Sequence, residues 1–211
     1  MAINYEALAQ IEKQQRRAFA RATFTKTAPL LSTRYVQGET WYVDDALVAG
    51  KYEDDMYAMV IGEAPGATED LRGRPFVGRA GIVLRQLLED VSLPPAWITN
   101  VVKFRPARNS TPSEEQIELA KSYLAREWQI IGKPRTVICC GNVPLKAVTG
   151  RAGVMRRAGK MEVWPASDGG PVYLWPMVHP SYGVRNPEAQ PVLNKHWRYL
   201  REWLDATYGG G

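Results

Sequence analysis

Glu63, Phe76, Asn100 and His179 are the side chains of this 211-residue chain whose types and settings best suit chemistry. Glu63 opens a glycine-punctuated stretch, Gly62 to Gly81, which follows the apolar run Tyr57–Ile61 and carries further carboxylates, Pro65, Pro75 and one isolated aromatic, Phe76. A carboxylate in such a loop can orient a water or act as a general base, and Asp70 is a second base candidate should Glu63 prove structural. An aromatic held between Pro75 and Val77 can stack on a flat ring. Asn100 brings one amide donor and one carbonyl acceptor side by side. His179, one of two histidines, precedes Pro180 at the end of an apolar run, where an imidazole can aim a donor at developing negative charge. Each also has a plain structural reading: Phe76 pinning the loop, Asn100 tying off a turn, His179 serving as a buried hydrogen bonder. His196, inside a helical stretch, is read as partly buried and without a catalytic role.

Four apolar runs read as strands: Tyr57–Ile61, Trp97–Val102, Thr136–Cys140 and Val172–Val178. Helical patterns separate them at about 80–91, 113–131 and 143–149, and a last helix over about 191–207 puts Leu193, Trp197, Leu200 and Leu204 on one face. Thr111-Pro112-Ser113-Glu114 reads as a capping box with proline in the first turn. Residues 3 to 22 read as a helix with Tyr5, Leu8 and Ile11 on one side, and Thr40–Val43 as an edge strand. Strands alternating with helices predict an α/β fold, a three-layer αβα arrangement around a central, mostly parallel four-stranded sheet, in one domain over residues 1–211. In such a sheet ligands bind beyond the strand C-termini, where the glycine loop, Asn100 and His179 all fall.

Composition narrows the function classes. Apolar residues at 45% and charged residues at 23% are globular values, with no apolar run long enough to span a membrane and no secretory start. The cytoplasm is the expected compartment, that of a bacterium or of the host cell if a virus encodes the chain. A monomer with no membrane partner is expected. A net charge of +5 favours a polyanionic partner. The two cysteines, Cys139 and Cys140, are adjacent on one predicted strand and so read as unpaired buried thiols.

The islands Gly62-Glu63-Ala64-Pro65-Gly66, Gly73-Arg74-Pro75-Phe76-Val77-Gly78, Thr99-Asn100-Val101-Val102-Lys103 and His179-Pro180-Ser181 together resemble the uracil-DNA glycosylase superfamily, most closely its family 4, over residues 57 to 203. The resemblance implies a monofunctional enzyme that flips deoxyuridine from DNA, hydrolyses its N-glycosidic bond and releases uracil, leaving an abasic site. It implies that Phe76 stacks on the flipped base and that Asn100 matches the uracil O4 acceptor and N3–H donor. His179 would donate to O2, and Glu63 would orient water and offset sugar charge. Ala64 would line the uracil pocket, and Glu69 would crowd the C5 edge against a thymine methyl. Pro65, Ser181, Tyr182, Val184, Arg185 and Lys103 would meet DNA, with Val184 and Arg185 entering the duplex as the wedge. Arg105, Arg108, Lys146, Arg151, Arg156 and Arg157 are further candidate phosphate contacts.

One departure from the family is large. The resembled family 4 usually carries four cysteines around a 4Fe–4S cluster, whereas Phe104 and Ala120 stand at the third and fourth of those positions and no cysteine precedes residue 139. A four-thiolate cluster is therefore not expected, nor is any other cofactor or metal. In its place the sequence predicts an apolar plug of Phe104, the helix around Ala120, and Tyr35, Trp41 and Tyr42. No inserted basic loop ending in histidine lies between Gly73 and Gly81, so covalent trapping of DNA is not implied. The alternative functions are a catalytically weak uracil-DNA or abasic-site binding module, and a small Rossmann-like nucleotide binder. The second lacks a Gly-x-Gly-x-x-Gly fingerprint after its first strand.

Overall fold

A computed structural model describes residues 4–18, 33–36, 39–42, 57–93, 95–166 and 168–208. Its helices are α1 (Tyr5–Ala18), α2 (Ala67–Arg72), α3 (Arg79–Asp90), α4 (Glu114–Ile130), α5 (Asn142–Thr149), α6 (Val154–Arg157), α7 (Pro180–Arg185) and α8 (Gln190–Tyr208). The strands are β1 (Thr33–Val36), β2 (Glu39–Tyr42), β3 (Ala58–Gly62), β4 (Ala96–Asn100), β5 (Thr136–Cys140), β6 (Glu162–Pro165) and β7 (Pro171–Met177). They form one sheet in the order β2-β1-β4-β3-β5-β7-β6. The four expected strands are its parallel centre, paired as β4·β3, β3·β5 and β5·β7. Among the described residues the sheet has seven strands rather than four, because antiparallel β1, β2 and β6 extend its edges. Each has four residues; β2 matches the edge strand expected at Thr40–Val43 to within one residue, while β1 and β6 are too short for a clear period-two signal.

Strand side chains alternate between two apolar layers. Met59, Ile61, Val137 and Cys139 face α1, α4 and α5; Val60, Ile98, Ile138 and Cys140 face α3 and α8. The adjacent cysteines thus point into opposite layers as free thiols, and burial pushes the Cys140 thiol up to about 12. The helices begin where local chemistry permits. Ser113 caps α4 in a reciprocal box with Gln116, so the box starts two residues later than the Thr111–Glu114 reading and Pro112 lies outside the helix. Among the described residues no helix is long and apolar enough to cross a membrane.

Because β3 lies between β4 and β5, the chain steps to one side of β3 and then to the other. That reversal opens a crevice at the C-terminal strand ends. Gly62 ends β3, Asn100 ends β4, Gly141 follows β5, and His179 lies two residues beyond β7.

Candidate active site

Phe76 sits over the end of β3 with its ring buried, 6% exposed. Its backbone has φ of +52°, a left-handed conformation that a bulky side chain adopts only when its surroundings hold it there. Two contacts hold it. Arg85 Nη1 donates to the Phe76 carbonyl at 2.6 Å, and Gly81 packs so tightly under that carbonyl that a Cβ would overlap it. At the other end of the ring, a Cβ on Gly62 would collide with both the Phe76 ring and Asn100 Oδ1. Glycine at 62 therefore lets the aromatic and the amide meet. Asn100 is 4% exposed, and among the described residues its side-chain amide makes no hydrogen bond. Its donor and acceptor remain available.

His179 closes this group from the β7 side. Its imidazole stacks with Phe76 at 6.2 Å between ring centroids and 24° between planes. It also caps α7: the Ser181 backbone N–H donates to Nδ1 at 3.1 Å, and the Ser181 hydroxyl lies 2.8 Å from the same atom. Nδ1 is thus an acceptor, which leaves the ring proton on Nε2. Arg185 Nη1 in turn donates to Ser181 Oγ at 3.1 Å. Burial, helped by the Arg185 charge, lowers the His179 pKa to about 4, so the ring is neutral at pH 7. Glu63 follows β3 directly, half-buried, and burial pushes its carboxyl above the ordinary range. Val101 N–H and Val102 N–H donate to the carbonyls of Gly62 and Glu63 at 2.9 and 3.1 Å, stitching the β3 and β4 ends together.

Other expected residues take different places. Lys103 does not face DNA: it is 3% exposed and its ammonium pairs with Glu127 at 2.7 Å, so the expectation of a phosphate contact is corrected. Pro65 is likewise buried, shaping the loop rather than offering a side chain to DNA. The Glu69 carboxylate accepts from Gly78 N–H at 2.7 Å and lies against Gly66, which ties the two ends of the glycine loop. Asp70 pairs with Arg105 at 3.6 Å, away from a base role. Lys146 and Arg157 pair with Glu114 and Glu162. Ala64 is partly buried against the core, Tyr182 and Val184 are partly buried on α7, and Arg185 is exposed. His196 is partly covered, as read, with Nδ1 unpartnered. The side chains of Tyr35, Trp41 and Tyr42 lie outside the described residues. Phe104 and Ala120 are buried together with Leu8, Ile117 and Leu124.

Three features escaped the sequence reading. Arg85 was one of several arginines on a predicted helix, with nothing to single out its bond to the Phe76 carbonyl. Arg72, Arg74 and Arg79 are exposed around the loop that carries Phe76, and their clustering within eight residues was the available signal. Glu127 is 2% exposed and receives Trp97 Nε1, Thr99 Oγ1 and Lys103 Nζ.

The four-cysteine cluster of the resembled family does not fit these residues. The chain has two cysteines, both inside β5, and the two nearer cluster positions are filled by buried Phe104 and Ala120. Among the described residues no group of three or more histidine, cysteine or carboxylate side chains is gathered as for a metal.

Residues 49–201 match the family model described as the uracil DNA glycosylase superfamily. The chain is 32% identical to the type-4 uracil-DNA glycosylase of Sulfurisphaera tokodaii, over 77% of this chain and 76% of that protein. It is 31% identical to the enzyme of that name from Saccharolobus solfataricus, over 79% and 80% of the two chains. With the one from Pyrobaculum aerophilum identity rises to 43%, over 54% and 58%. With the fold, the strand-end constellation and these matches in agreement, the chain belongs to the uracil-DNA glycosylase superfamily.

Proposed function

We propose that this chain is a monofunctional uracil-DNA glycosylase that extrudes deoxyuridine from DNA, hydrolyses its N-glycosidic bond and releases uracil, leaving an abasic site. The meeting of Phe76 and Asn100 over the bare backbone of Gly62, with the His179 ring stacked on Phe76, in a chain of this superfamily, is the observation that carries the reading. The Asn100 amide N–H meets uracil O4 and its Oδ1 accepts from N3–H, a match that cytosine, with donor and acceptor exchanged, does not offer. The Phe76 face supports the extruded ring, with base–aromatic stacking worth roughly 1–3 kcal/mol.

Breaking the bond leaves negative charge on the base, shared by N1 and O2. A neutral His179 donating from Nε2 meets that charge at O2 as it develops, and preorganised donors of this kind are worth about 3–4 kcal/mol. Glu63 orients the attacking water and offsets positive charge on the oxocarbenium-like sugar. Its raised pKa makes it a stronger base than a surface carboxylate. No lysine is placed as an imine-forming nucleophile by this scheme, and Lys103, the one nearest in sequence to Asn100, is committed to Glu127. Val184 and Arg185 on α7 enter the duplex where the base leaves, a step that costs a few kcal/mol of unstacking. The reaction runs without an iron–sulfur centre.

An oligonucleotide carrying one uracil tests the reading. Incubation with the protein should give a strand that breaks only after alkali, as an abasic site does. Breakage without alkali would indicate a lyase, and uracil-dependent binding with no alkali-labile product would indicate a binding module instead.

A further inference from the structure

Glu127 is a carboxylate sealed inside the fold on α4, remote in sequence from every candidate catalytic residue. Its oxygens accept from the Trp97 indole N–H at 2.7 Å, the Thr99 hydroxyl at 3.0 Å and the Lys103 ammonium at 2.7 Å. Lys103 also contacts the Thr99 hydroxyl, and it donates to the Asn100 carbonyl at 3.0 Å. Its backbone N–H donates to Gln15 Oε1 at 3.1 Å, which draws α1 into the same group. A buried ion pair is seldom a net gain in stability over apolar side chains of similar volume, so stability alone does not account for this one.

We infer that Glu127, acting through Lys103, is a positioning residue that aims the Asn100 amide at the base. This rests on the reading that Asn100 recognises uracil. The link is geometric. Lys103 fixes the Asn100 carbonyl, and the next two N–H groups are bound to Gly62 and Glu63, so the peptide plane leaving Asn100 is held from both sides. The Asn100 side chain, without a hydrogen bond of its own among the described residues, takes its direction from that backbone. Remote misplacement of about 1 Å can cost 10²-fold in rate, which sets the scale of the effect.

The test is a double-mutant cycle read in single-turnover excision and in inhibition by free uracil. Glu127→Gln should slow excision about 10- to 100-fold and weaken uracil inhibition about 10-fold, while affinity for uracil-free DNA stays within about 2-fold. In an Asn100→Ala background the same change should cost less than about 3-fold, because the group it positions is gone. Lys103→Met combined with Glu127→Leu removes the pair without stranding a charge, and so should fold and show the same loss. Equal losses in both backgrounds, or parental excision by the folded Met/Leu protein, would overturn the inference while leaving the Asn100 reading intact. Parental excision by Asn100→Ala would instead defeat that reading and the inference with it.

Discussion

At the residue scale, the site rests on hydrogen-bonding sense. Asn100→Asp replaces the amide donor with an acceptor, so it repels uracil O4 while accepting from the cytosine N4 amine. Uracil excision should fall by more than about 10²-fold, the order expected when a polar group is left unmatched. Assays on matched uracil and cytosine substrates check this, and parental uracil excision would remove Asn100 from base reading. The titrating groups predict the pH profile. Glu63 must be ionised to act, and burial raises its pKa, so the rate should climb with pH through a value above the ordinary carboxylate range. Glu63→Gln should abolish that limb. His179 titrates at about 4 against 6.5 for a free histidine, so between those values the unfolded chain binds the extra proton. Stability should therefore fall as pH drops through that window, and denaturant titrations of His179→Gln should show a flatter dependence. Residue types and spacing singled out Glu63, Phe76, Asn100 and His179, and the fold places all four at the C-terminal strand ends. They did not disclose that Lys103 is buried, because a lysine at a strand end reads as a solvent-facing charge until its partner from another element is known.

At the element scale, the strands and long helices were readable because apolar periodicity sets which face meets the sheet. The six-residue helices α2 and α7 and the short strands β1 and β6 were not, since each holds too few residues for a period and depends on its neighbours. Strand β2, by contrast, lies within one residue of the expected Thr40–Val43 edge strand. β4 and α4 form the most consequential pair. Phe104 follows the β4 end and packs beside Ala120 and Leu124 of α4. Phe104→Ala should lower the free energy of unfolding by about 3–5 kcal/mol, as for large-to-small changes in a core. Chemical denaturation measures this, and a protein as stable as the parent would show that the position carries no load. On helix α7 a hydrogen-bonded chain links exposed Arg185 through Ser181 to His179, and the proposed wedge role of Arg185 can be tested there. Arg185→Ala should slow excision from U·A duplexes several-fold more than from single strands, because only the duplex must be held open. Equal losses on both substrates would exclude the wedge.

At the scale of the whole molecule, four parallel strands deliver a carboxylate, an amide and an imidazole to one edge, and helical layers pack on both faces of the sheet. The basic net charge suits a polyanionic substrate, and the exposed arginines of the Phe76 loop put positive charge beside the site. What the linear chain hid was the way distant elements, α1, β4 and α4, meet behind Asn100, since such a network exists only once the layers have packed. The decisive measurement is the base released from DNA by iron-free protein in the presence of a chelator. Free base recovered from oligonucleotides carrying uracil, thymine or cytosine at one position should be uracil alone, in amounts equal to the abasic sites formed. No release of uracil under those conditions, or release that depends on added iron, would contradict a cluster-free uracil-DNA glycosylase.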